Sequence, residues 1–278
     1  MNPNHLQRLF LGPFSAWWFA FAATLNSLLV WLTCFGVTTE LIAAEPQVEE
    51  SGYVTLFDGE TLDNWIGDEP YWSVRDGAIL GQITESTRID KNRFLIYQGD
   101  VPADFELIAE FRVSAEGNSG INYRSEVVEG IDFHALRGYQ CDIDGRNRYT
   151  GSNYEERKRT TLAGIGESVV IPELPDAGTL RHVTGNRWTA GLPQGGLESA
   201  EKLRAKVKNG DWNEVRIVAR GNVLRHYVNG ALMSQVVDND RANRRLQGKL
   251  GIQVHVGPPM TIEYRNLRLR SLPAKAGE

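Results

Sequence analysis

The sequence predicts an all-β protein, an antiparallel two-sheet sandwich of jelly-roll type behind an N-terminal signal or anchor segment. Three observations carry this prediction. From Tyr53 onward the chain breaks into short runs in which apolar and polar residues alternate with the period of a strand. Turn chemistry recurs about every ten residues, as at Asp76-Gly77, Gly221-Asn222 and Asn229-Gly230. Only Glu198 to Lys206 offers helix formers without a breaker, and Asn209-Gly210 stops it.

Taken in order, Val54 to Phe57 is a first extended piece before Asp58-Gly59. Trp72 to Arg75 and Ala78 to Gly81 flank Asp76-Gly77, a hairpin, because Asp-Gly suits the positive φ angles of a two-residue turn. Phe94 to Tyr97 is another strand. In Phe105 to Val113, Leu107, Ala109, Phe111 and Val113 point inward and Glu110 and Arg112 outward. Ser119 to Ser125 places Ile121 and Tyr123 on one face, Asn122 and Arg124 on the other. Gly138 to Asp144 separates Tyr139, Cys141 and Ile143 from Gln140, Asp142 and Asp144. Gly145 to Pro175 reads as a long polar loop with a few extended pieces. Trp212 to Met233 supplies further strands. Leu250 to Arg265 then reads as a strand, a Gly257-Pro258-Pro259 reversal and a second strand, with Gln253 and His255 on the open face.

The N-terminus differs from everything after it. His5 and Arg8 precede a long apolar run from Leu9 to Val37, and Ala43-Ala44 supplies small residues for a cut. The order is that of a secretory signal, and the length of the run also suits an uncleaved membrane anchor. Residues 1–44 are therefore read as signal peptide or anchor, 45–51 as linker, 52–272 as the sandwich domain and 273–278 as tail. The domain is expected in the periplasm or outside the cell, meeting a membrane only through an uncleaved N-terminal segment. A net charge of −5 with no dense basic stripe argues against a nucleic-acid partner. Of the two cysteines, Cys34 lies in the apolar segment, so Cys141 has no disulfide partner within the domain.

The chemistry is expected on the open face of the strands. Glu110, Asn122, Arg124, Gln140, Asp142, Gln253 and His255 all oppose apolar faces. If their strands are neighbours, they make a floor of carboxylate, guanidinium, carboxamide and imidazole groups suited to a polyhydroxylated ligand and to acid–base chemistry. A solvated sheet face with surface ion pairs is the plain alternative for any one pair. Asp142, Asp144 and His255 would form an incomplete oxygen-rich set for a divalent metal ion, although no metal-ligand spacing motif is present. Tyr154 and Trp188 could stack on a sugar ring. His226 shares the phase of Leu224 and Val228 and reads as a core histidine. Glu110 and Asp142 are the pair of acids on offer for direct glycoside hydrolysis.

Ordered motifs add a family resemblance. Leu56-Phe57-Asp58-Gly59, Leu62-Asp63-Asn64-Trp65, Asn118-Ser119-Gly120-Ile121-Asn122-Tyr123-Arg124 and Gly138-Tyr139-Gln140 appear in the order found in the 3-keto-disaccharide hydrolase domain family. Trp212-Asn213-Glu214, His226-Tyr227-Val228-Asn229-Gly230 and Gln253-Val254-His255-Val256-Gly257-Pro258-Pro259-Met260 continue the series. The chain resembles that family over nearly all of Ser51 to Leu272, and departs from it at Gln140, where many members carry Glu. The resemblance implies a concanavalin A-like sandwich and cleavage of glycosides already oxidised at C3. In that chemistry a base removes the C2 proton, an enolate forms, the C1 substituent leaves and water adds. For that chemistry the floor residues offer His255, or Asp142 in its place, as base, Arg124 and Gln140 on the enolate or sugar hydroxyls, and Gln253 as an orienting group. Asn122, Tyr154 and Glu110 are candidate substrate contacts. A non-catalytic carbohydrate-binding module would use the same polar floor, and a glycoside or oligosaccharide is the expected ligand in either case.

Overall fold

The computed structural model describes residues 52–175 and 181–273. The expected signal or anchor segment, the linker and all but the first residue of the tail lie outside the described residues. In chain order the strands are β1 (Val54–Thr55), β2 (Trp65–Gly67), β3 (Trp72–Arg75), β4 (Ala78–Ile83), β5 (Arg93–Tyr97), β6 (Phe105–Val113), β7 (Asn118–Val127) and β8 (Leu136–Asp144). Next come β9 (Asn153–Glu156), β10 (Thr160–Ala163), β11 (Glu167–Ile171), β12 (Val183–Thr184), β13 (Arg187–Trp188), β14 (Leu192–Pro193) and the short helix α1 (Ala200–Arg204). The last strands are β15 (Asn213–Arg220), β16 (Val223–Val228), β17 (Ala231–Asp238), β18 (Lys249–Val254) and β19 (Met260–Ser271).

These strands form two sheets. The first runs β14-β11-β17-β16-β15-β6-β19-β4-β3, with β1 also on β19; the second runs β12-β13-β10-β9-β8-β7-β18-β5-β2. One apolar core lies between them, with Ile79, Phe111 and Ile217 from the first sheet and Ile121, Tyr139, Cys141 and Ile252 from the second. Period-2 alternation puts these residues inside, and burying them is the main favourable term in folding. A few polar bonds cross the core. Ser119 Oγ meets Tyr264 Oη at 2.8 Å, and Tyr123 Oη meets His226 Nε2 at 2.8 Å. His226 is a core histidine as expected, though wholly rather than half buried, and burial lowers its pKa to about 4. The sandwich is largely antiparallel, yet β11 runs parallel to β17 and β10 parallel to β13.

Several local expectations change. The Asp76-Gly77 hairpin forms as read, with φ 51° and 73° at its two turn residues. Gly257-Pro258-Pro259 does not make a hairpin. β18 sits between β7 and β5 in the second sheet, and β19 between β6 and β4 in the first. The proline-rich stretch is therefore a crossing between sheets, consistent with prolines that have no N–H to give a ladder. Gly145 to Pro175 is less of a loop than expected, since it holds β9, β10 and β11. The strands are short, and in β9 and the turn after it buried Glu155 and Arg159 stand where apolar periodicity looks for hydrophobic residues. Arg159 is fully buried against Glu155, Asp238 and Asp240, an ion cluster joining the β9–β10 turn to the end of β17. The helix is shorter than Glu198 to Lys206, starting at an N-cap Ser199 whose side chain accepts from the Lys202 N–H. Among the described residues no helix is long and apolar enough to cross a membrane.

Candidate functional site

Polar side chains gather on the outward face of the second sheet. Gln140 of β8 lies opposite Asn122 of β7 on one side and Tyr154 of β9 on the other, while Gly138 faces Glu156. Gln253 of β18 donates from Nε2 to Gln140 Oε1 at 3.2 Å and to Glu156 Oε2 at 3.4 Å. Gln140 Nε2 in turn donates to Asp142 Oδ1 at 2.7 Å. Two carboxyl groups are thus joined through two carboxamides, and each amide is held where it is needed. Gly120, paired with Asp142 in the ladder, makes room for this, since a Cβ there would come within 2.6 Å of the Gln140 side chain.

Gln140, Asp142, Tyr154, Glu156 and His255 line a hollow of about 290 Å³. Asn92, Tyr149 and Asn186 complete its polar rim, and Tyr154 Oη donates to Asn186 Oδ1 at 3.2 Å. A second hollow of about 210 Å³ is lined by Glu116, Asp144, Arg146, Arg148, Pro258 and Met260. Asn118 and His255 belong to both hollows, so the imidazole stands on their shared boundary.

The titratable groups are tuned in opposite senses. Burial pushes the Asp142 carboxyl up to about 8; the Gln140 amide opposes the rise, and the negative Glu156 and Asp144 add to it. Asp142 keeps some access to the hollow and is mostly protonated at neutral pH. Burial also raises Glu156, against Arg157, Gln253 and Asn92. His255 moves the other way. Burial lowers its pKa, with the Val256 carbonyl and Asp144 opposing, so the ring is neutral at pH 7. His255 Nδ1 lies 2.6 Å from the Val256 carbonyl oxygen, which can only accept, so the proton is on Nδ1 and Nε2 keeps its lone pair. A neutral base and a protonated acid therefore line one hollow, the pairing that acid–base catalysis near neutrality requires.

Of the residues expected from sequence, the structure brings His255, Asp142, Gln140 and Tyr154 into this hollow, with Gln253 buried directly against Gln140. Asn122 is fully buried beside them on β7, and neither carboxamide atom has a hydrogen-bond partner among the described residues. Arg124 is not in the site. A bulge after Tyr123 gives it a φ of 45° and breaks the alternation. Its guanidinium turns toward the first sheet, donating to the carbonyls of Ala103 at 2.7 Å and Gly221 at 2.6 Å and pairing with Asp104 at 3.2 Å. Glu110 is also elsewhere, on the outer face of the first sheet with Arg265 at 2.7 Å. Glu110 and Asp142 therefore cannot act as two acids on one glycosidic bond. Asp144 does not assemble with Asp142 and His255 as a metal set, because its carboxylate accepts from the Arg148 backbone N–H at 2.7 Å and from the Arg148 side chain. Among the described residues no group of three His, Cys, Asp or Glu side chains is placed to hold a metal ion.

Glu156, Asn92, Asn118, Tyr149 and Asn186 were absent from the sequence-based set. For Glu156 a signal existed, since Tyr154 and Glu156 are two apart and point to one face once Asn153 to Glu156 is recognised as a strand.

Comparison with known proteins places the sequence among sugar-related families. The model of the 3-keto-alpha-glucoside-1,2-lyase-like domain matches residues 52–270. A 3-keto-disaccharide hydrolase of Bacteroides thetaiotaomicron is 32% identical over 100 residues, covering 34% of this chain and 34% of that protein. The match thus spans about a third of the curated relative's length. Among solved structures, a Parabacteroides distasonis protein provisionally described as a glycosyl hydrolase overlaps at a TM-score of 0.49 and 18% identity, covering 80% of this chain and 95% of its own. A carbohydrate-binding module from Bacillus subtilis overlaps at a TM-score of 0.45 and 12% identity, covering 75% of this chain and 96% of its own.

Proposed function

The chain belongs to the 3-keto-alpha-glucoside-1,2-lyase-like domain family, a carbohydrate-active, hydrolase-like group, and on that premise we propose that it cleaves 3-keto-glycosides by elimination and hydration. The observation that carries the reading is the position of His255. It stands between a hollow lined by Asp142, Glu156 and Gln140 and a second hollow lined by Arg146, Arg148 and Met260. An oxidised sugar in the first hollow with its leaving group in the second would bring the bond to be broken beside the imidazole.

In the proposed reaction His255 Nε2 takes the C2 proton, and the C2–H electrons move into the C2–C3 bond as the C3 carbonyl becomes an enolate. The protonated Asp142 carboxyl and the Gln140 amide supply hydrogen-bond donors for the negative oxygen. Collapse of the enolate restores the ketone, forms the C1–C2 double bond and expels the C1 oxygen with its aglycone. Water then adds at C1, its spare proton ending on the departed aglycone oxygen, and the imidazolium returns a proton to C2, giving the free 3-keto sugar and aglycone alcohol and regenerating the neutral base. Glu156, Asn92 and Tyr154 are assigned to sugar hydroxyls.

The test is release of aglycone from a 3-keto-glucoside, run in deuterium oxide so that exchange at C2 is read in the same sample. His255→Ala should abolish both release and exchange while leaving the melting temperature near that of the parent. Release at the parental rate in that variant would remove His255 as the base. Tight sugar binding by the parent protein without any turnover would instead make the domain a carbohydrate-binding module.

A further inference from the structure

The sheet opposite the candidate site presents a second, unrelated polar surface. On the outer faces of β16, β15, β6 and β19 stand Arg225, Arg216, Arg112, Arg265, Arg268 and Arg270. Four adjacent strands spread these groups over about 15 Å. Arginines outnumber glutamates on this face, although the chain as a whole has a net charge of −5.

Of the four glutamates on these strands, Glu214 at the exposed start of β15 has no ion-pair partner among the described residues, and the other three are committed. Glu263 accepts from Arg112 at 2.7 Å and Arg75 at 3.2 Å. Glu110 accepts from Arg265 at 2.7 Å and from Asn266. Glu106 is shared by Arg216 at 3.2 Å and Arg270 at 2.9 Å. Burial alone would raise Glu106 and Glu110, yet their donors and neighbouring arginines hold both below the usual carboxylate range. Three arginines of these strands, Arg225, Arg268 and the exposed Arg220 at the end of β15, have no carboxylate at ion-pair distance among the described residues. Arg225 donates to the neutral Gln235 amide at 2.6 Å, and the Arg268 guanidinium lies 5.4 Å from the Tyr53 ring centroid.

Aromatic rings hold several of these groups in place. Arg265 and Arg112 lie 4.0 and 4.9 Å from the centroid of Trp212, and Arg216 lies 3.8 Å from that of Tyr227. Each of these three already gives an N–H to a glutamate, and stacking holds its remaining N–H donors at the ring's edge with much of the rotamer freedom lost before any ligand arrives.

We propose that this outer face of the first sheet binds an acidic polysaccharide, a hydroxylated polymer carrying spaced carboxylates. The mixture of groups selects this class. Fixed glutamates can accept from hydroxyls while the surplus arginines donate to carboxylates, whereas the dense phosphates of a nucleic acid would be repelled by the same glutamates. A lipid surface fits less well, because none of β6, β15, β16 or β19 carries an exposed large apolar side chain to insert. This face does not depend on the proposed catalytic reading.

The test is binding of the full-length protein, in a non-ionic detergent, to polygalacturonate and to its fully methyl-esterified form. Binding should be selective for the free acid and should weaken as salt is raised. The double variant Arg225→Gln/Arg268→Gln breaks no ion pair in the structure and should weaken binding about tenfold, with an unchanged far-ultraviolet spectrum. Arg225→Lys/Arg268→Lys should retain part of the affinity and guards against an effect of lost packing. Equal binding of the esterified polymer, or undiminished binding in the Gln variant, would overturn the proposal. So would tighter binding to duplex DNA, or a preference for phosphatidylglycerol vesicles that the same variant loses while polygalacturonate is not bound at all.

Discussion

Asp142→Asn should change how stability depends on pH. The folded carboxyl titrates at about 8, against an ordinary value of 3.8. Between those values the folded state keeps a proton that the unfolded chain has released, so this group's contribution falls as pH rises. It is fully present below the unfolded value and gone once pH passes the folded one. The slope for one such proton is about 1.4 kcal/mol per pH unit, so from about pH 5 to pH 7 the parent protein loses up to about 3 kcal/mol that an Asn variant does not. Access of Asp142 to the hollow reduces that figure, and on the order of 1.5 kcal/mol is a safer expectation. Asn keeps the shape and can still accept from Gln140, so other groups cancel in the difference. Urea unfolding of both proteins at several pH values measures it directly: the variant should gain on the parent steadily as pH rises. Parallel stability curves would refute the raised carboxyl and the acid role built on it. Activity should agree, with an alkaline decline near pH 8 in the parent that is missing, or moved, in whatever activity the variant retains.

Two other substitutions separate structure from site. Arg124→Met should destabilise by about 3–5 kcal/mol, because it strips donors from buried carbonyls and leaves Asp104 unpaired; urea unfolding reads the loss, and aglycone release per folded molecule should stay close to that of the parent. Gly120→Ala should cost about 1–3 kcal/mol and displace the Gln140 side chain. Turnover should fall more than the lost stability alone would cause, and a fully active Gly120→Ala protein would show that the carboxamide bridge is dispensable.

Alternation in the sequence is enough to place Leu107, Phe111, Ile121, Tyr139, Cys141 and Ile252 inside, because a sheet buried on one face writes its period into the chain. The same rule places Gln140, Asp142 and Gln253 on one open face, and the ladder makes them neighbours. It fails where the backbone leaves the period. At Arg124 a single bulge turns the most attractive guanidinium of the expected site into a clamp between sheets. Glu155 and Arg159 occupy buried positions that hydropathy assigns to a loop, and Glu156 is lost from view with them. Glu110 obeys the alternation and still misses the site, since two outward faces look alike until strand order says which sheet each belongs to.

The candidate acid and base are held by different means, and this follows from where the chain crosses. Asp142 lies within β8 between two paired strands, so the ladder fixes its Cα and the amide chain from Gln253 fixes its carboxyl. His255 lies just beyond β18, where the chain leaves one sheet for the other. Its N–H reaches Asn118 O at 3.3 Å, and its ring closes locally on the Val256 carbonyl. A side chain within β18 would be confined to one face of the sheet. One at the crossing can stand between two hollows, which is what a base beside a scissile bond needs. Pro258 and Pro259 limit the conformations open to that connection, so the position of the imidazole depends on a stretch that looks, in the sequence alone, like an ordinary turn.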